Sequence, residues 1–199
     1  MSVPKIESYE DFLPYLYHNE VVVVRGVSEN EKWHLKASSV LSNEALREVE
    51  VPVDEVGKER RIMKFGEFYE MARTKTLYVK DWHLDQIDSL SSLYSVPLPF
   101  QDDWLNWYWQ ELFPQFREAA GCPEDDYSFC YVGSKDTKTA LHHDVVLSYS
   151  WSVNLCGNKI WTLWRPGEGN SSESAAISVR QSPGDAIFVP SGWYHSVEN

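Results

Sequence analysis

Cysteine is scarce in this sequence, positive charge is outnumbered, and no apolar run is long. The three cysteines, Cys122, Cys130 and Cys156, are an odd number without CxxC or zinc-knuckle spacing. That excludes a disulfide framework and a structural zinc site, and they read as reduced thiols, none of them a nucleophile. No apolar stretch reaches the ~20 residues that cross a bilayer, and the opening MSVPKIESYEDF lacks the basic and apolar regions of a signal peptide. The expected setting is the cytoplasm or the nucleus, with no membrane partner. Lys and Arg number 18 against 30 Asp and Glu, a formal net charge of -12, which opposes the clustered cations that neutralise nucleic-acid phosphates. No nucleic-acid partner is expected. Such charge keeps a protein in solution, and it also favours a basic partner by steering. Internal repeats and low-complexity segments are absent too.

What is present points to a packed interior. Hydrophobic residues make up 43% and aromatics 14% of the chain, with nine Trp, far from the composition of a disordered chain. At 199 residues one core is the natural solution, so the chain reads as a single domain over 1–199. Its first part, 1–126, mixes helix and strand. Residues 6–18 carry Ile6, Tyr9, Phe12, Leu13 and Leu16 at roughly helical spacing, interrupted by Pro14, and lead into a β-branched strand at Val21 to Val24. A helix start is expected around 38–47, a helix at 64–73, a strand at 77–84, and an aromatic helical segment at 103–120 that Pro114 kinks or splits.

From Tyr127 onward the character changes to short β-rich runs at 127–132, 141–155, 159–164, 176–180 and 186–190. Turn signals such as Gly157-Asn158 and Pro183-Gly184 separate them, and 167–175 reads as a surface loop. Strands of this length and spacing predict a double-sheet jelly roll over 127–199. The fold class is therefore mainly β with flanking helices.

Within that core, Leu141-His142-His143-Asp144-Val145-Val146 reads as strand, where residues two apart share a face. His142 and Asp144 then converge on one ion while His143 points away. Two imidazoles and one carboxylate on one face of a metal leave open positions, as in non-haem Fe(II) oxygenases. His195, after a strand and the turn Pro190-Ser191-Gly192, is the candidate for the second imidazole. An HxD triplet alone arises often by chance, and a buried histidine is more often a satisfied core residue than a ligand. Lys159 adds weight, since a dicarboxylate that chelates iron at one end needs a cation at the other; taken singly it would be a solvated turn lysine. Tyr78 and Thr139 are candidates to share that carboxylate by hydrogen bonding.

TxLHxD, then SxSWSxNxxGxKxW, then PGDxxFVPSGWxH, closely resembles the jumonji-C oxygenases over residues 127–199. LYVKDWHL at 77–84 and DWLNWYW at 103–109 extend the resemblance through most of the chain, toward a subgroup described as lysyl hydroxylases of a eukaryotic translation termination factor. The resemblance implies a cupin-like double-stranded β-helix, with Fe(II), 2-oxoglutarate and O2 as cofactor and co-substrates. It places His142, Asp144 and His195 as iron ligands, Lys159 as the cation for the distal carboxylate, and Tyr78 and Thr139 as its hydroxyl partners. Ser152 falls where many relatives have Asn near the co-substrate, and Asn154 falls at the pocket wall. Trp151, Trp193 and Tyr194 read as core packing. The partner it implies is a protein substrate, a translation termination factor, with an N-methyl-lysine demethylase and a metal-free β-sandwich binding module as rival readings. Relatives continue past the second histidine with a further core strand and helices, so the core is expected to be truncated at its C-terminal end. An unpaired edge beside the metal, and with it a homodimer or disorder around His195, is the expected consequence.

Overall fold

In the computed structural model, which describes residues 3–6, 10–29, 33–97, 100–112, 114–119, 126–168 and 176–199, β-branched and aromatic runs assemble into three four-stranded sheets. The strands are β1 (Lys5–Ile6), β2 (Val22–Val24), β3 (Glu50–Glu55), β4 (Arg61–Lys64), β5 (Leu77–Trp82), β6 (Cys130–Gly133), β7 (Lys138–His142), β8 (Ser150–Val153), β9 (Lys159–Trp164), β10 (Ile177–Gln181), β11 (Ala186–Val189) and β12 (Tyr194–Glu198). The helices are α1 (Leu13–His18), α2 (Ala37–Leu41), α3 (Phe65–Met71), α4 (Asp88–Ser91), α5 (Trp104–Trp107) and α6 (Pro114–Ala119). Strand order is β1-β2-β11-β8 in one sheet, β10-β9-β12-β7 in the second and β4-β3-β5-β6 in the third.

Period-two alternation explains how these sheets share two cores. Val23, Ile187 and Val189 of the first sheet join Trp161, Leu163, Val179 and Val197 of the second in one buried cluster, the interior of a jelly roll. Val22, Val24, Ala186 and Phe188 point the other way, onto Val51, Val53, Leu77 and Val79 of the third sheet and Phe65 and Phe68 of α3. A strand buried on both faces must be apolar at every position, which is why β2 reads Val-Val-Val. The jelly-roll core with flanking helices is the predicted fold class. Tight reversals set its corners: Gly184 (φ +89) and Gly192 (φ +73) hold conformations that L side chains rarely adopt.

Several elements differ from expectation. Residues 6–18 are not one helix: Ile6 lies in β1, and Pro14 sits in the first turn of α1, where its missing N–H costs nothing. The aromatic segment divides as expected at Pro114, with a π-helical stretch at Tyr108–Leu112 before α6. The run at 141–155 is broken: β7 ends at His142, a 3-10 turn spans Val145–Leu147, and β8 begins at Ser150. The β3–β4 hairpin was not expected at all. As for the unpaired edge, β12 is laddered on both flanks by β7 and β9. The edges of that sheet are β10 and β7, and β7 carries His142. Cys122, Tyr9 and residues 169–175 of the expected loop lie outside the described residues.

Candidate metal centre

His142 and His195 are directly opposed in the β7–β12 ladder, and their ring centroids stand 4.3 Å apart. Asp144 reaches the same place by a route that strand alternation did not anticipate. The strand stops at His142, and Asp144 (φ -67, ψ 155) heads the 3-10 turn, swinging its carboxylate back toward the imidazoles. Val146 and Leu147 hold that turn in left-handed backbone, φ 54 and 53, costly for any residue with a Cβ and more so for a β-branched one. The result is a group in which one donor atom from each of His142, Asp144 and His195 lies within 4.8 Å of the others. His195 Nε2 is 3.9 Å from Asp144 Oδ1. His143 is outside the group; it is exposed, and its ring packs edge-on against Tyr194.

The protonation of the two imidazoles follows from their partners. His142 Nδ1 bonds to the Ala140 carbonyl at 2.8 Å and His195 Nδ1 to the Trp193 carbonyl at 3.4 Å. A carbonyl only accepts, so each Nδ1 carries a proton and the ring atom left for a metal is Nε2. Burial holds the His195 imidazole below its ordinary range, partly opposed by Asp144, so it is neutral and ready to ligate near pH 7. Ser150 Oγ donates to Asp144 Oδ2 at 2.7 Å, occupying that oxygen and leaving Oδ1 to face the imidazoles. No sequence signal singled out Ser150.

The candidate co-substrate residues lie further down the same interior. Lys159, Trp161 and Leu163 alternate along β9, and since the last two belong to the inner cluster, Lys159 is directed inward as well. Burial pushes its amine down to about 8. Its Nζ donates to Asn199 Oδ1 at 2.7 Å, a neutral partner. Thr139 Oγ1 lies 3.4 Å from the Tyr78 hydroxyl, so these two predicted partners meet. At Gly133 an added Cβ would stand 3.1 Å from Tyr78 Cδ2 and 2.7 Å from Asn199 Nδ2, which puts Tyr78 and the partner of Lys159 around one point.

Ser152 is the cross-strand neighbour of Ile187 and therefore faces the interior with it. Asn154 is employed differently: its amide donates to the carbonyls of Gly157 at 3.0 Å and Gln181 at 3.4 Å, clamping the β8–β9 turn. Trp151 stacks on Phe100 at 4.9 Å, and Trp193, 1% exposed, donates to the Asn19 carbonyl; both are packing residues. Gln181, fully buried, was missed. Its Nε2 donates to the carbonyls of Ser152 and Asp185 and its Oε1 accepts from Trp161 Nε1, a closed network beneath Lys159. The burial of Cys130 raises its thiol to about 12, as expected of an inert cysteine.

The donor chemistry fits the ion and the acid implied by the sequence. Two imidazole nitrogens and one carboxylate oxygen converge from one side, and a buried amine without a carboxylate in ion-pair reach among the described residues can receive an anion. A jelly roll with a two-histidine, one-carboxylate centre defines the class of non-haem iron oxygenase sites. No family model matches the chain, but several curated proteins do. It is 34% identical over 177 residues to the 2-oxoglutarate and iron-dependent oxygenase JMJD4 of Danio rerio, covering 70% of this chain and 40% of that protein. It is 37% identical over 153 residues to the Mus musculus JMJD4, covering 62% and 34%. It is 30% identical to the Arginine-specific demethylase JMJ20 of Arabidopsis thaliana over 96% of this chain and 52% of that protein. The chain belongs to the jumonji-C family of 2-oxoglutarate and iron-dependent oxygenases, with JMJD4 proteins among its relatives. It spans about half, or less, of the length of these relatives.

Proposed function

We propose that the chain carries the core of an Fe(II)- and 2-oxoglutarate-dependent protein hydroxylase that acts on a lysine side chain of a translation termination factor. The observation that carries the oxygenase reading is the grouping of His142, Asp144 and His195 at one end of an interior into which Lys159 also points. The choice of substrate rests on the sequence resemblance and on the net charge of -12, which suits a basic target.

In this reading His142 and His195 bind through Nε2 and Asp144 through Oδ1, with Ser150 fixing the carboxylate. Lys159 pairs with the distal carboxylate of 2-oxoglutarate, and Tyr78 and Thr139 hydrogen-bond to it. Ser152 stands on the wall between the sheets. Trp161, Leu163, Ile187 and Val197 keep that interior apolar, which strengthens the Lys159–carboxylate attraction and excludes competing water. When bound, iron with 2-oxoglutarate and O2 supplies the oxidising power: one oxygen atom enters a substrate C–H bond, the other enters succinate, and CO2 leaves. A cytoplasmic or nuclear setting and a homodimer go with this reading; no helix among the described residues is long and apolar enough to cross a membrane.

A second reading, an N-methyl demethylase, is favoured by the similarity to JMJ20, which is named as an arginine-specific demethylase. It would use the same residues, since fold and metal site do not select the substrate. Mass spectrometry separates the two. A termination-factor peptide that gains one oxygen while succinate accumulates supports hydroxylation; a methylated peptide that loses a methyl group supports demethylation. Absence of Mn(II) uptake by the wild-type chain, unchanged by His142→Ala, would leave only a metal-free binding module.

A further inference from the structure

The amine of Lys159 is held at the end of a directed chain of hydrogen bonds that runs through the last residue of β12's extension. Thr137 Oγ1 donates to the Ser134 carbonyl at 2.7 Å. With its single proton spent, the hydroxyl oxygen can only accept from Asn199, and Asn199 Nδ2 reaches it at 2.9 Å. That fixes the orientation of the amide. Its oxygen must turn the other way, to Lys159 Nζ at 2.7 Å. The backbone of Asn199 is itself fixed, with its N–H donating to the Thr137 carbonyl at 2.9 Å and its carbonyl accepting from Asp136 at 2.8 Å. Gly133 leaves room for this arrangement, because a Cβ there would lie 2.3 Å from Thr137 Oγ1 and 2.7 Å from Asn199 Nδ2.

We propose that Asn199, oriented by Thr137, is a positioning residue that presents the Lys159 ammonium to the distal carboxylate of the co-substrate. The proposal rests on the reading of Lys159 as the carboxylate anchor. A long lysine side chain in an apolar interior has many rotamers and a penalty for its charge. A neutral amide oxygen accepts one N–H, stabilises the charged form and leaves the remaining N–H groups free. A carboxylate in the same place would neutralise the lysine and compete with the acid that it is meant to hold. Asparagine is the residue that stabilises without competing, provided that its oxygen faces the amine, and that is the task of Thr137.

The test is calorimetric titration of 2-oxoglutarate into the whole chain loaded with Mn(II), together with titration of Mn(II) into the metal-free chain. Asn199→Ala should weaken 2-oxoglutarate about ten- to a hundredfold, the range expected for losing a hydrogen bond to a charged group, and leave Mn(II) affinity unchanged. Asn199→Asp should weaken it at least as much, although the side chain keeps its shape. Thr137→Val, which keeps every backbone hydrogen bond, should reproduce the loss, and Thr137→Ser should restore wild-type binding. If Asn199→Ala fails to fold, Thr137→Val decides. Unchanged 2-oxoglutarate affinity in Asn199→Ala, or a parallel loss of Mn(II) binding in both valine and alanine variants, overturns the positioning role. A wild-type chain that binds Mn(II) but not 2-oxoglutarate overturns the anchor reading instead.

Discussion

Replacing Lys159 by methionine should expose what burial of this amine costs the fold. The amine sits near pKa 8 against an ordinary 10.5 because burial disfavours its charge. A base whose folded pKa lies below its unfolded one binds fewer protons when folded, so its penalty is fully present below about pH 8 and fades as pH rises toward 10.5. The drop from 10.5 to about 8 corresponds to ~3 kcal/mol at neutral pH, which residual solvent at this half-buried side chain reduces to about 2 kcal/mol. Methionine removes that penalty but strands Asn199 Oδ1, costing about 1 kcal/mol, so Lys159→Met should be more stable by about 1 kcal/mol near pH 7. The advantage should shrink by roughly 1 kcal/mol or more near pH 9.5, since other titrations cancel in the difference. Urea unfolding of both metal-free proteins at the two pH values measures this. An identical stability difference at both would mean that the amine is not desolvated, and the case for a buried cation held by a neutral partner would fall.

Three further perturbations address the rest of the site. Gln181→Leu strips partners from the Ser152 and Asp185 carbonyls and from Trp161 Nε1 and should lower stability by about 3 kcal/mol in urea; a loss under 1 kcal/mol would contradict the closed network. Ser150→Ala frees Asp144 Oδ2 and should weaken Mn(II) by roughly ten- to a hundredfold without altering the unfolding midpoint of the metal-free chain, as is usual for residues that orient a ligand; unchanged affinity refutes its role. Deletion of Leu141, one of the two residues between Thr139 and His142 where the β7–β12 register shifts, leaves two steps on β7 against two on β12. The regular ladder should keep His142 opposite His195 and retain Mn(II) uptake, whereas loss of uptake would show that the bulge itself is needed to aim the histidine.

The sequence made the β9 strand and the corner turns legible because alternation and Gly-containing turns are local signals. Other parts depended on information that periodicity does not carry. Pro14 was read as an interruption although the first helical turn is where proline is tolerated. The β3–β4 hairpin was hidden by Pro52, which argues against a central strand; β3 pairs with β4 at Pro52, but its pairing with β5 begins only at Val53, so the missing N–H need not face a partner. Ser150, Gln181 and Asn199 are single polar residues whose roles depend on partners far away in sequence, and nothing local marks them.

His142, Asp144 and His195 come together although strand alternation alone does not account for their geometry. Thr139 and His142 are three apart, so in an unbroken strand they would face opposite sides of the sheet. Yet Thr139 reaches Tyr78 while His142 reaches His195. The ladder resolves the conflict, because His142 pairs with His195 but Thr139 pairs with Val197: three steps on β7 match two on β12. One extra residue reverses the alternation between the two ends of the site, as bulges beside active sites do. His142 is thereby turned toward His195 and Asp144, and Thr139, beyond the bulge, toward Tyr78. His142 and Thr139 are three positions apart on β7, and Asn199, just past β12, is four positions from His195, so both strands link the His142–Asp144–His195 group to the end where Tyr78 and Lys159 lie. The chemistry at each end can still be removed singly, Asp144 or Ser150 at one and Lys159 or Asn199 at the other. Loss of Lys159 or Asn199 should therefore weaken 2-oxoglutarate and spare Mn(II), whereas loss of Asp144 removes the ion that the acid chelates and should weaken both.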